Sequence, residues 1–160
     1  PQANLFGVQI LAGNGSGTTS SLLGGLDYVL GVRNQYPLRP MVASMSVGGF
    51  CGDECATNPV VLAVEDLSAA NVTCVVSAGN NRYTACWKCP AAAPHAITVA
   101  ASDDEDFAAV AYSNNGPCVD IYAPGSDILS ACTSSNCGTN DQYITLVSIT
   151  TTLTIVGLYL

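Results

Sequence analysis

The sequence predicts an α/β domain of three layers, in which helices flank a mostly parallel β-sheet. Five short apolar runs are near-continuous rather than alternating, as expected for strands buried in a parallel sheet. Helical patterns separate the first three runs, so strand–helix–strand units with right-handed crossovers are expected. The 160 residues suffice for one core, and we assign residues 1–160 to a single domain.

The helices are predicted from their apolar faces and their end signals. Leu22 and Leu26 lie on the broad apolar face of the first helix, and Pro59 and Asn71 mark the two ends of the second. In chain order we predict strand 5–11, helix 20–32, strand 41–47, helix 59–70, strand 72–78, strand 96–101 and strand 119–123.

The last segment, residues 143–160, is apolar, uncharged and rich in threonine. It is barely long enough to span a membrane and has no flanking cations, so we favour a buried helix or strand over a membrane span. Its many β-branched residues give it poor helix propensity, so tertiary packing would have to impose a helix there.

The composition points to a protein partner and away from nucleic acid. Hydrophobic residues make up 49% of the chain and charged residues only 10%, well below the ~25% usual for soluble domains. We therefore expect apolar faces that a partner chain covers. With 12 acidic and 4 basic residues, the chain cannot assemble the basic patch that nucleic acid requires.

The eight cysteines predict disulfides in an oxidising compartment. Zinc is the alternative, but only Cys86-Trp87-Lys88-Cys89 has the spacing of a zinc knuckle. Local pairs would close surface loops and leave Cys74 and Cys118 for a strand-to-strand bridge. The local pairs are Cys51 with Cys55, Cys86 with Cys89, and Cys132 with Cys137.

Two sequons agree with a secreted or extracellular location. Asn14-Gly15-Ser16 and Asn71-Val72-Thr73 make Asn14 and Asn71 candidate glycosylation sites. No signal peptide precedes the structured sequence that starts at Pro1, so we expect a processed or excised piece of a longer protein.

Glycine-containing segments follow several predicted strands and so share the carboxyl edge of the sheet, where ligands bind in open α/β folds. Their exposed backbone groups could pair with an extended peptide, although ordinary strand-end turns have the same composition. On the 77–81 turn, Asn80 could aim its amide at a developing oxyanion. The candidate peptide-binding residues are Gly15, Ser16, Gly17, Ser46, Val47, Gly48, Ser77, Ala78 and Gly79.

The single histidine, His95, is predicted to lie far from that edge. It precedes the fourth strand and therefore belongs to the amino edge of the sheet. A serine triad needs a histidine within hydrogen-bond reach of the nucleophile. No histidine-dependent triad can therefore form within this chain.

These motifs, in this order, resemble the subtilisin/proteinase K family, the subtilases. Ser77-Ala78-Gly79-Asn80 resembles the family's wall of the S1 pocket with its oxyanion asparagine. Gly15-Ser16-Gly17 and Ser46-Val47-Gly48 resemble the two segments that sandwich substrate backbone. Tyr112-Ser113-Asn114-Asn115-Gly116 and Val119-Asp120-Ile121-Tyr122-Ala123-Pro124-Gly125-Ser126 are close to family signatures.

The resemblance implies a subtilisin-like fold that is incomplete at both ends and needs no cofactor for chemistry. A structural calcium is the one metal it suggests. In proteinase K-like members a carboxylate and nearby carbonyls hold that ion, and the matching positions here are Asp120 and the carbonyls of Pro94 and Ala96.

The departures from the family concern the catalytic triad. The family's catalytic aspartate and histidine lie upstream of where this chain begins, and Leu146 takes the nucleophile position when residues 157–160 are aligned with the end of the family's nucleophile helix. Ser148 is near, but it lacks the glycine-threonine context. We expect an inactive domain that acts as a structural or interaction module. The alternative is a piece of an active endopeptidase whose triad comes from other sequence.

Overall fold

The computed structural model describes residues 4–103, 108, 111–126, 128–129, 143–144 and 152–157. Two short 3-10 helices, Gly52–Thr57 and Ala85–Trp87, lie in the connections. In chain order the other elements are β1 (Asn4–Gln9), α1 (Thr19–Gln35), β2 (Met41–Met45), β3 (Gly49–Phe50), α2 (Pro59–Ala69), β4 (Val72–Ser77), β5 (Lys88–Cys89), β6 (Ile97–Ser102), β7 (Ile121–Pro124), β8 (Ile128–Leu129), β9 (Tyr143–Ile144) and β10 (Thr152–Gly157).

The main sheet contains six strands in the order β1-β10-β2-β4-β6-β7. β2, β4, β6 and β7 pair in parallel, whereas β10 is antiparallel to both of its neighbours, β1 and β2. Because two antiparallel steps restore the direction, β1 runs the same way as the four parallel strands. The carboxyl ends of all five strands therefore lie at one edge, as the sequence predicts.

The hydrophobic core lies on the face of the sheet that α1 and α2 cover. Along β2 the odd positions Met41, Ala43 and Met45 are buried and the even ones are only partly so. Leu26 of α1 and Val64 of α2 are at most 1% exposed and belong to the same cluster. Full burial of such a side chain contributes about 1.5–3 kcal/mol.

The helices contact each other and form one helical layer in the part of the chain that the structure describes. The α/β class, with a mostly parallel sheet and flanking helices, is confirmed. Side-chain caps fix both helix starts, because Thr18 Oγ1 accepts a hydrogen bond from the Ser21 amide (3.0 Å) and Asn58 Oδ1 one from the Val60 amide (2.9 Å).

The first helix extends beyond its predicted end at residue 32. The added residues Arg33, Asn34 and Gln35 are polar, so the apolar pattern does not reveal them, and the helix ends at Gln35. The next residue, Tyr36, precedes Pro37, and a residue before proline is disfavoured in the helical region. The five predicted strands are confirmed within a few residues at their ends.

Part of the apolar 143–160 segment is a strand. Residues Thr152–Gly157 form β10, which agrees with the poor helix propensity of that sequence. Within the described part of the chain, no helix is long and apolar enough to cross a bilayer. The predicted nucleophile position, Leu146, lies outside the described residues.

Two disulfides are present among the described residues, and they connect Cys51 to Cys55 and Cys86 to Cys118. The first agrees with the prediction. The predicted Cys86–Cys89 and Cys74–Cys118 pairings are wrong, because Cys86 bonds to Cys118 while Cys74 and Cys89 are buried free thiols.

The third predicted local bridge, between Cys132 and Cys137, falls on a different part of the chain. Neither Cys132 nor Cys137 belongs to the described residues. The bridge of Cys137 with Cys132 therefore stays a prediction from their spacing.

The positions of Cys74 and Cys89 explain the error in the pairing. Cys74 is on the covered face of β4, where its Sγ lies 3.9 Å from the Val64 carbonyl oxygen of α2. Burial raises the pKa of the Cys74 thiol and outweighs a hydrogen bond with Ser68 that would lower it. Cys89 lies on β5 and turns its sulfur toward Gly49 of β3. Spacing along the chain does not show either orientation.

Candidate peptide-binding cleft

A cleft of about 420 Å³ lies at the carboxyl edge of the sheet. It brings together five of the predicted peptide-binding residues, Gly15, Gly17, Ser46, Val47 and Gly48. Its complete lining is Ile10, Leu11, Gly15, Gly17, Thr18, Thr19, Leu22, Ser46, Val47, Gly48, Gly49, Val60 and Cys89.

One wall of the cleft is a tight turn after β1. The Ala12 amide donates to the Ser16 carbonyl (2.8 Å) and the Gly15 amide to the Ala12 carbonyl (2.9 Å), with Gly15 at φ +78°. The Asn14 side chain accepts hydrogen bonds from the Ser16 amide (3.0 Å) and hydroxyl (2.7 Å). The turn is therefore held by hydrogen bonds among its own residues. Ser16, a predicted peptide-binding residue, bonds to Asn14 and is not among the residues that line the cleft.

The opposite wall is the backbone that leaves β2. A Cβ on Gly48 would lie 3.0 Å from the Cys89 carbonyl oxygen, closer than ordinary van der Waals contact. The pairing of Gly49 with Cys89 and of Phe50 with Lys88 then joins this wall to β5. Glycine is needed at position 48 because two backbones approach each other closely there.

The 77–81 turn lies beside this wall, since β4 is the parallel neighbour of β2 and Met45 aligns with Val76. Gly79 has φ +97°, and a Cβ there would lie 2.8 Å from Asn114 Nδ2. Asn80 is exposed at the end of the turn. Ser77, Ala78 and Gly79 are not among the residues that line the cleft itself.

Asn114, to which sequence reasoning assigned no role, holds this turn together. It is fully buried. Its Nδ2 donates to the Ala78 carbonyl (2.8 Å), its Oδ1 accepts from the Asn81 amide (2.8 Å), and its own amide donates to the Gly79 carbonyl (2.8 Å). The sequence signal was an asparagine pair before a glycine, which indicates a turn but not a buried anchor.

His95 lies at the opposite, amino edge of the sheet. It lines a separate cavity with Val72 and Ile97, which begin β4 and β6. Its backbone amide donates to Glu65 Oε1 (3.0 Å), and its Nδ1 contacts Glu65 Oε2. The predicted separation of His95 from the cleft is confirmed.

The hydrogen bonds from His95 change the acidity of Glu65. Partial burial alone would raise the pKa of Glu65, but the hydrogen bonds from the side chain and backbone of His95 outweigh it and hold that pKa below its ordinary value of 4.5. The pair thus stabilises the folded state while the carboxylate is charged.

We expect Glu65→Gln to reduce the loss of stability on acidification. Because the folded-state pKa is depressed, the contribution of Glu65 is complete above its ordinary pKa and is lost as the pH falls through the lowered value. His95 is exposed and Glu65 only partly buried, so solvent screens the pair and the effect should stay below about 1 kcal/mol. Urea unfolding of both proteins between neutral and acidic pH measures it, and equal pH dependence in the two would contradict the assignment.

Asp120, the predicted calcium ligand, lies beside the start of β6. Its Oδ2 accepts a hydrogen bond from the Thr98 amide (2.7 Å), and its own amide donates to the Thr98 carbonyl (2.9 Å). Asp120 therefore pairs with a residue that lies two positions after Ala96 along the chain. Among the described residues, no three histidine, cysteine or acidic side chains form a metal-binding cluster. The calcium site stays a prediction.

Comparison with known proteins identifies the class. The model of the subtilase family (Peptidase_S8) matches residues 1–153. The chain is 41% identical over 136 residues to the extracellular serine proteinase of Thermus sp. strain Rt41A, covering 85% of this chain and 31% of the relative. It is 37% identical over 145 residues to the subtilisin-like serine protease Pen ch 18 of Penicillium rubens, covering 87% and 28%.

A solved structure gives the same result. The crystal structure of a cold-adapted subtilisin-like serine proteinase superposes with a TM-score of 0.65 at 37% identity, over 76% of this chain and 41% of that one. The fold is that of a subtilisin-like α/β domain. The chain belongs to the subtilase family, and it spans about a third of the length of the relatives it matches.

Proposed function

We propose that this chain is a catalytically inactive subtilisin-like domain that binds an extended peptide segment and serves as a structural or interaction module. The observation that carries the proposal is the separation of the two edges. The cleft lies at the carboxyl edge, whereas His95, the one histidine of the sequence, pairs with Glu65 at the amino edge.

Hydrolysis by the family's chemistry needs a nucleophile activated by a histidine within hydrogen-bond reach. His95 cannot serve a nucleophile near Asn80 from the other edge. Loss of a complete triad lowers turnover by about a million-fold, even where an oxyanion hole remains. Peptide binding does not depend on the triad, because the contacts that hold a peptide come from the walls of the cleft.

The walls favour a peptide in extended conformation. Gly15 and Gly48 leave their backbone without side-chain cover, and the cleft floor contains the apolar side chains of Leu22 and Val60. An added strand gains main-chain hydrogen bonds, while its alternate side chains enter the pockets. The ligand class is therefore an unfolded or loop segment of a protein.

We expect backbone N-methylation to weaken binding in one register only. An added strand presents every second amide to the protein, so methyl groups on those amides remove hydrogen bonds and introduce clashes. Each lost bond is worth about 0.5–1.5 kcal/mol, and two should weaken binding at least about fivefold. Fluorescence anisotropy with two labelled peptides, methylated at odd or at even amides, measures the difference. Equal affinity of the two would contradict strand addition.

The proposal includes a protein partner and an extracellular location. Leu5 of β1 is 70% exposed and Ile121 of β7 is 54% exposed, so both edge strands present apolar area that a partner chain would cover. The disulfides, together with the name of the Thermus relative, an extracellular serine proteinase, support secretion. Asn71 and Asn14 are exposed and are the proposed glycosylation sites.

A structural calcium at Asp120 is part of the same proposal. The Asp120 carboxylate would supply one oxygen, and the carbonyls of Pro94 and Ala96 would supply others, since calcium prefers oxygen ligands. Its role would be to hold the start of β6 against the loop before β7.

The second candidate is a piece of an active subtilisin-like endopeptidase whose triad residues come from other sequence. The 77–81 turn favours it, because Asn114 bonds to Ala78 and Asn81 on either side of the exposed Asn80, and an amide fixed on such a turn suits an oxyanion hole. A fluorophosphonate probe distinguishes the two when it is applied to the longer protein that contains this chain. A covalently labelled serine there supports the enzyme, and an unlabelled protein supports the module.

A further inference from the structure

Lys88 joins the cleft to the 77–81 turn. It lies on β5 opposite Phe50, next to Cys89, which lines the cleft. On its other side, its Cε lies 3.3 Å from the position that a Cβ on Gly79 would take. Because Gly79 has no side chain, the stem of Lys88 occupies the space beside the turn.

Within the described part of the chain, the nearest recorded partner of the Lys88 ammonium group is an aromatic ring rather than a carboxylate. Its Nζ lies 5.9 Å from the centre of the Tyr83 ring, a cation–π contact that orients the ammonium group without cancelling its charge. Among the described residues, no carboxylate forms an ion pair with Lys88. Lys88 is half-buried, so solvent screens its charge less than that of a fully exposed lysine.

This cation stands out in an acidic protein. The formal net charge is −8, and four residues are basic. Arg33 binds the carbonyls of Ala70 and Arg39 before β2, and Arg39 lies over the Tyr36 ring. Both belong to the amino edge of the sheet. Arg82 follows the 77–81 turn and is exposed.

We propose that Lys88 selects peptides with an acidic side chain at the position that faces the 77–81 turn. The inference rests on the proposed peptide-binding function and specifies its ligand class. The acidic surface repels an acidic peptide in general, so the attraction by Lys88 is local and restricts the carboxylate to one position. A carboxylate there would form a charge-assisted hydrogen bond with the ammonium group.

The test is a position scan with neutral, fluorescently labelled extended peptides in which each position in turn carries Gln, Glu or Lys. For the wild-type chain we expect a single position where Glu binds about 5-fold or more tightly than Gln, with a preference that weakens at high salt. Lys88→Gln should abolish the preference, and Lys88→Glu should reverse it toward Lys at the same position. Arg39→Gln, which removes the same charge at the far edge, should leave it unchanged.

The outcomes separate this inference from the proposed function. If the peptides bind but no position prefers Glu, or if the preference persists in Lys88→Gln, the assignment to Lys88 is overturned and peptide binding stands. A preference lost in Arg82→Gln but kept in Lys88→Gln also overturns it. Absence of binding for every peptide overturns the proposed function, and this inference with it.

Discussion

Asn114→Ala is expected to destabilise the domain by about 3–5 kcal/mol. The substitution leaves the Ala78 carbonyl and the Asn81 amide without their 2.8 Å partner, and it also removes a 3.4 Å bond from the Tyr83 amide. Leaving the carbonyl of the buried Ala78 unsatisfied costs about 1–3 kcal/mol, and the lost bonds of the Asn81 and Tyr83 amides cost about 0.5–1.5 kcal/mol each. The turn also loses a side chain that contacts both of its flanks.

The measurement is urea unfolding together with amide hydrogen exchange at Asn81. In the variant the Asn81 amide should exchange much faster than in the wild type, because its acceptor is gone. Asn115→Ala is the matched control. Asn115 is exposed, and its hydrogen bonds to Tyr83 and Ala85 are made by backbone atoms. The free energy of unfolding of this variant should therefore stay within about 0.5 kcal/mol of the wild-type value. Equal stability of the two variants would show that Asn114 is not an anchor.

Replacing both Cys86 and Cys118 by alanine is expected to reduce stability by about 4 kcal/mol. The bridge closes a loop with a sequence separation of 32, and the entropy of the unfolded chain rises with the logarithm of the loop length when the bridge is lost. The loop contains β5 and β6, so the bridge ties the turn side of the sheet to the loop before β7.

The Cys51–Cys55 bridge provides the matched control. Its sequence separation is 4, so the same entropy argument gives about 2 kcal/mol for its removal. Chemical unfolding of the two double variants under non-reducing conditions measures the difference. A larger loss from the short loop than from the long one would mean that native contacts of the cysteines, rather than chain entropy, dominate.

The fold could be predicted from the sequence because its signals are local and repeated. Near-continuous apolar runs specify strands such as β4, and the Asn58-Pro59 pair specifies the start of α2. The place of β10 could not be predicted in this way. A threonine-rich segment can form a strand in many registers, and its position between β1 and β2 follows from pairing across the whole chain.

The candidate site was predicted less completely than the fold. The glycine segments at Gly15 and Gly48 were recognised because backbone exposure leaves a compositional signal. The buried Asn114 and the position of Lys88 were missed, since both depend on contacts between distant segments. The pairing of Cys86 with Cys118 failed for the same reason, because orientation on an element decides which sulfurs meet.

Mass spectrometry of a bound peptide after prolonged incubation tests the central claim most directly. The 160-residue chain would be mixed with a labelled extended peptide that it binds, and the peptide would be recovered and weighed. The account predicts an intact peptide and saturable binding. Cleavage of the peptide by this chain alone, abolished when a serine of the chain is replaced, would contradict it.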